Sequence, residues 1–122
     1  MEARTQVALR WADLDRLGHV NQAVYHVFLE EARAAMLEPM GHFSFVLAHV
    51  EMDFRREVRR DRGHVDVVMR TTAVGRSSVT IDHQILLPDG GVAAEGRSVL
   101  VAWDPAKRCA VPLTEQQRAF LT

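Results

Sequence analysis

One stretch near the amino terminus decides the fold, residues 11–25, which read WADLDRLGHVNQAVY. The segment that leads into this stretch, Thr5 to Trp11, alternates between apolar and other residues, and this pattern predicts a half-buried first strand. A polar turn follows, and from Asn21 the apolar period changes from two to nearly four. Asn21 is a favourable N-cap, because its side chain can accept a bond from an unpaired amide of the first helical turn. The stretch therefore predicts a strand that passes through a turn directly into a helix.

The helix that begins here is the one long helix of the chain. Apolar side chains recur on one of its faces, at Val24, Phe28, Ala32 and Ala35/Met36. Pro39 and Gly41 end it, because proline lacks the backbone donor that a helix needs and glycine favours the turn that follows. We expect this face to pack on a sheet.

Four more strands follow the helix. The alternating patterns predict strands over Phe45 to Arg55, His64 to Val74, residues 79–87 and Val92 to Trp103, the last two joined by a hairpin turn at residues 88–91. Thr114 with Gln117 has the pattern of a capping box for a short terminal helix. The order predicts an α+β fold, a five-stranded antiparallel sheet on one long helix. Two architectures have this order, the hot-dog fold, whose sheet wraps the helix, and the more open cystatin-like fold.

Composition excludes several classes of protein. With 122 residues, 48% hydrophobic and 25% charged, we expect a single packed domain, residues 1–122. The net charge of -1 argues against broad electrostatic binding to nucleic acid or an anionic membrane. The single cysteine, Cys109, cannot form an intrachain disulfide, and the first residues lack the apolar core of a signal peptide. We therefore expect a cytoplasmic protein with no membrane insertion.

The turn before the helix carries residues that suit acyl chemistry. Asp13, Asp15 and His19 lie close to the free amides and the positive end of the helix dipole, which can stabilise a developing oxyanion. Asp15 could then attack a carbonyl directly or activate water. The alternative is structural: both aspartates form the turn, Asn21 only caps the helix, and His19 is a solvated loop residue.

The motif also resembles a known family. The run D-x-D-x-x-G-H-V-N-x-x-x-Y over residues 13–25, followed by Glu-Glu-Ala-Arg at 30–33, is similar to the 4-hydroxybenzoyl-CoA thioesterase branch of the hot-dog superfamily, which includes the Tol-Pal-associated acyl-CoA thioesterases. Weaker matches occur at residues 51–56, 74–78 and 101–104. The resemblance spans nearly the whole chain and favours the hot-dog fold over the cystatin-like one.

The resemblance implies hydrolysis of a thioester, usually of coenzyme A, at a site between the subunits of a dimer. The family's catalytic aspartate matches Asp15, here base or nucleophile, and the amide that polarises the carbonyl matches Gln22 or a neighbour within residues 20–23. His19 matches a histidine that acts in plant acyl-carrier-protein thioesterases, but their intervening asparagine is Leu17 here. We therefore assign His19 and Asn21 orienting or assisting roles.

The resemblance also implies contacts to coenzyme A. Tyr25 belongs to the first motif, and Arg76, Ser77 and Ser78 match side chains that contact the pantetheine arm or the nucleotide phosphates. Arg55 and Arg56 head a basic cluster that continues with Arg59, Arg60 and Arg62. Arginine suits phosphate because its planar fork donates paired, charge-assisted bonds. The alternatives are an ordinary bend at residues 75–78 and a solvated turn balanced by Glu57 and Asp61.

Other groups are weaker candidates. His49, Glu51 and Asp53 share a strand face but lack the spacing of a metal motif, so we expect no metal and no cofactor beyond the coenzyme A of the substrate. Cys109 has no partner histidine motif. For Glu30 and Glu31 we expect ion pairs on the helix surface, for instance with Arg33, rather than a role in catalysis. Candidates to line an acyl pocket are Phe28, Phe43, Phe45 and Met52.

These features predict an acyl-CoA thioesterase that assembles as a homodimer or homotetramer, since the sheet has edges to pair. Its partners would be acyl-CoA or acyl-carrier-protein thioesters. Two alternatives stay open. One is a hot-dog module that binds such thioesters without turnover. The other is a cystatin-like interaction domain in which Asp15 and His19 have no chemical role.

Overall fold

The computed structural model describes residues 1–10, 13, 15–18, 20–41, 44–59 and 63–122. Its elements in chain order are β1 (Glu2–Ala8), α1 (Gln22–Leu37), a 3-10 turn (Glu38–Met40), β2 (Phe45–Phe54), β3 (His64–Val74), β4 (Ser78–Leu86), β5 (Val92–Asp104), β6 (Cys109–Ala110) and α2 (Glu115–Leu121). The strands form one antiparallel sheet in the order β1-β3-β4-β5-β2, with the short β6 paired to β5. The predicted α+β hot-dog fold is confirmed.

The core lies between α1 and the inner face of this sheet. Phe28, Leu29 and Ala32 of α1 are buried against alternating residues of β3 and β4 such as Val67 and Ile81. Full burial of one such large apolar side chain stabilises the fold by about 1.5–3 kcal/mol. The predicted helix face is therefore the one that packs, although Ala35 at its margin is exposed.

The ends of α1 follow from local chemistry. The Asn21 side-chain oxygen accepts a hydrogen bond from the Ala23 amide at 2.9 Å, which is the predicted cap. At the other end Pro39 lies in the 3-10 turn, and Gly41 follows with φ of 76°, a conformation that glycine adopts without the steric cost of a side chain. In α2 the predicted capping box is also present, with Thr114 and Gln117 bonded in both directions.

The first strand lies earlier than its alternation predicted. β1 spans Glu2–Ala8 rather than Thr5 to Trp11, and Trp11 lies outside the described residues. Alternation in a sequence does not fix where pairing stops. Here β3 fixes it, because Ala8 is paired with His64 and the Leu9 amide then bonds to the Gly63 carbonyl at 3.0 Å. β5 runs one residue further than predicted, to Asp104.

The antiparallel register gives the sheet two distinct ends. At the helix-start end, Ala8 faces His64, and Leu86 faces Val92, close to the end of β2 at Phe54. At the opposite end, which we call the turn end, residues 75–77 join β3 to β4 beside α2. No helix among the described residues is long and apolar enough to span a membrane.

Candidate active site

The loop that enters α1 is fixed by a buried carboxylate. Asp13 is only 2% exposed and accepts hydrogen bonds from the Arg10 amide at 2.8 Å and from Arg10 Nη2 at 3.0 Å. Its backbone carbonyl accepts from the Asn21 amide at 3.2 Å. Arg10 in turn reaches Glu31 on α1 at 4.0 Å. Asp13 thus ties the end of the first strand to the helix start, which goes beyond the turn-forming role of the structural alternative.

Asp15 lies on the exposed side of this loop. Its Oδ1 accepts from the Leu17 amide at 2.9 Å, and its carbonyl accepts from the Gly18 amide at 3.2 Å. Gly18 has φ of 76°, which completes the tight turn. Asp15 therefore orders the turn and at the same time presents its carboxylate at the surface. His19, the predicted assisting residue, lies outside the described residues.

The first turn of α1 offers a backbone donor. Asn21 caps the Ala23 amide, and the Val20 amide donates to the Val58 carbonyl at 2.8 Å. The Gln22 amide has no hydrogen-bond acceptor within the described part of the chain. Amides in this position carry the positive end of the helix dipole. The Gln22 amide is thus a backbone donor at the positive end of the α1 dipole.

A cavity of about 300 Å³ opens at this helix start. Its walls are Gln22, Tyr25, Phe54, Arg55, Arg56 and Glu57. The structure thus brings together four of the predicted residues, two from the first motif and two from the basic cluster. Tyr25 and Phe54 stack with their ring centroids 5.1 Å apart, and Tyr25 is also stacked on Phe28 at 6.0 Å. This aromatic contact attaches the end of β2 to the helix.

Tyr25 contributes a neutral hydroxyl to this cavity. Burial raises the pKa of Tyr25 above its usual value, and the backbone of Val58 acts weakly in the opposite direction. The hydroxyl therefore keeps its proton at neutral pH and can donate to a substrate oxygen.

The arginines of the cavity have weak acidic partners. Arg55 lies 3.6 Å from Asp53 and 3.7 Å from Glu95, and Arg56 lies 3.2 Å from Asp89. All of these side chains are substantially exposed, so each pair contributes little to stability and can open for a phosphate. Arg59 has interactions of its own, and Arg60 and Arg62 lie outside the described residues.

The predicted coenzyme-binding residues that follow β3 lie away from this cavity. Arg76, Ser77 and Ser78 are at the turn end of the sheet, away from the helix start. The Gly75 amide donates to the Ser78 carbonyl at 2.7 Å, and a Cβ at Gly75 would lie 2.7 Å from Ser78 Oγ, so a larger residue at this bend would require the Ser78 side chain to move. Within one chain, Arg76, Ser77 and Ser78 are therefore separated from the helix start, whereas Arg55 and Arg56 lie beside it.

A larger cavity, of about 610 Å³, lies on the outer face of the sheet. Its charges alternate along one register row across all five strands, from Glu2 through Arg70, Asp82 and Arg97 to Glu51. Arg97 Nε donates to Asp82 at 2.8 Å and lowers the pKa of that carboxyl. Acidic side chains outnumber the basic ones in its walls, and none of the residues predicted for catalysis lines this cavity. Its greater volume is therefore no reason to place the reaction there.

The candidate metal ligands of β2 form contacts with neighbouring side chains. His49 lies 3.4 Å from Glu51, and Asp53 lies beside Arg55. Across the described residues no group of three or more His, Cys, Asp or Glu side chains is arranged to hold a metal ion.

Sequence reasoning assigned no role to one buried polar pair. His83 and Ser98 are each 1% exposed, and His83 Nδ1 lies 3.1 Å from Ser98 Oγ. Burial, with the nearby charge of Arg33, lowers the pKa of His83 to about 4. A signal was present, because His83 is the one polar residue in the alternation Val79, Ile81, His83, Ile85, Leu87. A histidine at a core position either forms hydrogen bonds that satisfy its ring nitrogens or has a functional role.

Comparison with known proteins places this fold and this helix start in one family. The model of the thioesterase-like superfamily matches residues 9–121. The chain belongs to this family. The expected relationship to the hot-dog thioesterases is therefore confirmed, and with it the class of enzyme, a thioester hydrolase.

Individual relatives agree with this assignment. The long-chain acyl-CoA thioesterase FadM of Escherichia coli is 31% identical over 97% of this chain and 96% of its own. A thioesterase from Thermus thermophilus, solved with coenzyme A and zinc, is 35% identical with a TM-score of 0.84, over 97% of this chain and 90% of that one. The PA2801 protein of Pseudomonas aeruginosa is 26% identical with a TM-score of 0.88, over 98% and 97% of the two chains.

Proposed function

We propose that this thioesterase hydrolyses acyl-CoA to a free acid and coenzyme A at the start of α1. The observation that carries the proposal is the cavity in which Gln22 and Tyr25 meet Arg55 and Arg56. Acyl-CoA needs both halves of this arrangement, donors for the carbonyl and cations for the nucleotide phosphates. The names of two relatives, one an acyl-CoA thioesterase and one solved with coenzyme A, support the same substrate.

In the proposed reaction, Asp15 acts as base or nucleophile. As base, its carboxylate takes a proton from water while the water oxygen attacks the thioester carbon. The carbonyl oxygen becomes an oxyanion that the Gln22 amide and the helix dipole stabilise. The carbon–sulfur bond then breaks, and the thiolate of coenzyme A takes the proton back from Asp15. As nucleophile, Asp15 would attack the carbonyl carbon, the carbon–sulfur bond would break, and the released thiolate would take a proton from solvent. Water would then cleave the anhydride to the free acid and the Asp15 carboxylate.

The remaining predicted residues bind rather than react. Asn21 fixes the first turn through its cap, and Tyr25 donates its hydroxyl. Arg55 and Arg56 exchange their exposed carboxylate partners for phosphate oxygens. The reaction as proposed uses only water and the thioester, so no bound metal or redox cofactor takes part.

A second copy of the chain would complete the site. β2 is an edge strand, and it exposes apolar side chains at Val46 (37%) and Leu47 (44%). Two β2 strands that pair antiparallel about a twofold axis place the turn end of one sheet beside the helix-start end of the other. Arg76, Ser77 and Ser78 of the partner copy would then approach the cavity. We therefore propose a homodimer, and the separation of the two residue sets within one chain supports it.

The direct test is thiol release from a panel of acyl-CoA and acyl-carrier thioesters, with wild type and Asp15→Asn side by side. Asp104→Asn is a matched control, because Asp104 Oδ1 also caps an exposed turn, accepting from the Ala106 amide at 2.9 Å, but in the β5–β6 hairpin. We expect Asp15→Asn to lower kcat at least about a hundredfold, the lower end for loss of a proton-transfer group, and Asp104→Asn to leave it unchanged. If wild type binds coenzyme A but releases no thiol from any substrate, the chain is a binding module and the proposal is wrong.

A further inference from the structure

Three buried polar atoms in the described part of the chain have no hydrogen-bond partner. They are Nη1 of Arg33, on α1, Oγ1 of Thr71, on β3, and Nε2 of His83, on β4. The Glu51 carbonyl is near enough to His83 to raise its pKa slightly, but it does not meet the geometry of a hydrogen bond. An unpartnered buried donor costs about 1–3 kcal/mol, more when it is charged. Two of them in one place therefore point to a missing acceptor.

Arg33 on α1 and His83 on β4 are close enough to interact electrostatically. The positive charge of Arg33 is, after burial, the largest influence that lowers the pKa of His83. Burial likewise lowers the pKa of Arg33, although the nearby charge of Glu30 opposes this. Arg33 forms no ion pair with any residue that the structure describes. At neutral pH the pair therefore consists of a guanidinium, with the charge of Glu30 nearby but no ion pair, beside a neutral imidazole.

One stripe of α1 connects the cavity to Arg33. Gln22, His26, Glu30 and Arg33 follow at spacings of four, four and three residues, so they lie along one side of the helix. At 1.5 Å per residue, Arg33 is roughly 16 Å along the helix from Gln22. Gln22, His26 and Glu30 are exposed and Arg33 is half-buried, so the stripe runs from the surface to the buried pair.

The sheet supplies an apolar surface along the same path. Phe54 of β2 faces the helix, since it stacks on Tyr25, and Met52 and Val50 share that side and pack on the core. In the register, Met52 is opposite Gly96, which is opposite His83, and Val50 is opposite Ser98. A Cβ at Gly96 would collide with the Glu51 carbonyl, so no side chain stands between Met52 and His83. In the register, Met52 and Val50 therefore lie between Phe54, at the cavity, and the residues that flank the polar pair.

We propose that Arg33 and His83 bind a carboxylate at the far end of the acyl group, so that this enzyme prefers thioesters of dicarboxylic acids with long chains. The Arg33 guanidinium supplies the charge. The Ser98 hydroxyl donates to His83 Nδ1, which leaves the imidazole proton on Nε2 to donate to the second carboxylate oxygen. This inference rests on the proposed function, because it assigns the far end of the same acyl substrate.

The test compares thiol release from acyl-CoAs with a terminal methyl and a terminal carboxylate at each of several chain lengths. For wild type we expect kcat/KM to favour the carboxylate at the longer chains. Arg33→Met should lower the ratio of the two kcat/KM values at least about tenfold, which corresponds to one charged hydrogen bond. Arg33→Lys should retain part of the preference. Arg4→Met, on the outer face where Arg4 pairs with Asp66, should leave the ratio unchanged.

Several outcomes would overturn the proposal. Equal wild-type rates for both series would do so, as would an Arg33→Met variant that slows both alike. A change in oligomeric state in Arg33→Met, followed by light scattering, would instead assign Arg33 to contacts between copies. Calorimetric binding of free dicarboxylic and monocarboxylic acids distinguishes failure of the proposed function from failure of the carboxylate site. A protein that releases no thiol but binds dicarboxylic acids more tightly would contradict the proposed function and support the carboxylate site.

Discussion

Arg10 and Asp13 form the contact that fixes the entry to α1. The guanidinium donates to a carboxylate that is almost fully buried, and the Arg10 amide donates to the same group. The Asp13 carboxylate also strengthens these bonds electrostatically, since it raises the pKa of Arg10. The motif therefore carries two aspartates in different environments, Asp13, which is buried and fixes the loop, and Asp15, which is exposed.

The first prediction concerns this contact. Asp13→Ala should lower the free energy of unfolding by about 1.5–3 kcal/mol, because charged hydrogen bonds are lost and the loop amides are left without an acceptor. Denaturant titration with Asp15→Ala as the control measures the difference. Equal losses in both variants would contradict the division of roles.

The second prediction concerns the aromatic contact at the cavity. Phe54→Ala removes the ring stacked on Tyr25, a contact of about 0.5–1.5 kcal/mol, and should raise KM for acyl-CoA while kcat changes less. Phe54→Tyr keeps the stack and should retain the wild-type KM. An unchanged KM in the alanine variant would show that substrate does not use this wall.

The third prediction follows from the low pKa of His83. The folded value is about 4 and the ordinary value is 6.5, so the unfolded chain binds the proton more readily. Stability is therefore full above about pH 6.5 and falls as the pH drops toward 4, by up to about 3 kcal/mol. Urea titrations across this range should show a smaller slope for His83→Gln than for wild type. Parallel curves would mean that His83 titrates normally.

The fourth prediction tests the edge strand. Leu47→Glu places a charge on exposed β2 and should shift the protein from dimer to monomer with loss of thiol release. Ala119→Glu, on the exposed side of α2, is the matched control for added charge and should remain dimeric. Sedimentation velocity reports the state. A wild-type protein that is itself monomeric and active would refute the composite site.

The fifth prediction concerns Arg118 of α2. Its Nη2 donates to the carbonyls of Gly75 at 3.0 Å and Arg76 at 3.3 Å, so α2 holds the turn that carries the predicted coenzyme contacts. Arg118→Ala should raise KM for acyl-CoA severalfold with little change in kcat, and Arg118→Lys should restore part of the affinity. A fall in kcat at constant KM would give Arg118 a different role.

The sequence predicted the helix, the order of the strands and the hairpin because apolar periods and caps are local. It misplaced β1, since pairing with β3 rather than alternation sets where that strand ends. Local patterns also cannot show that the Asp13 carboxylate is buried or that His83 lies near the charge of Arg33, because both depend on how separate elements pack. Nor could they show that Arg76 lies at the other end of the sheet from Asp15.

That separation of Arg76 from Asp15 has a genetic consequence. In an antiparallel dimer each site takes its aspartate from one copy and its arginine turn from the other. A dimer of one Asp15→Asn chain and one Arg76→Ala chain would then have one site with both defects and one site with neither. Two inactive alleles expressed together should complement each other, whereas either allele alone should not.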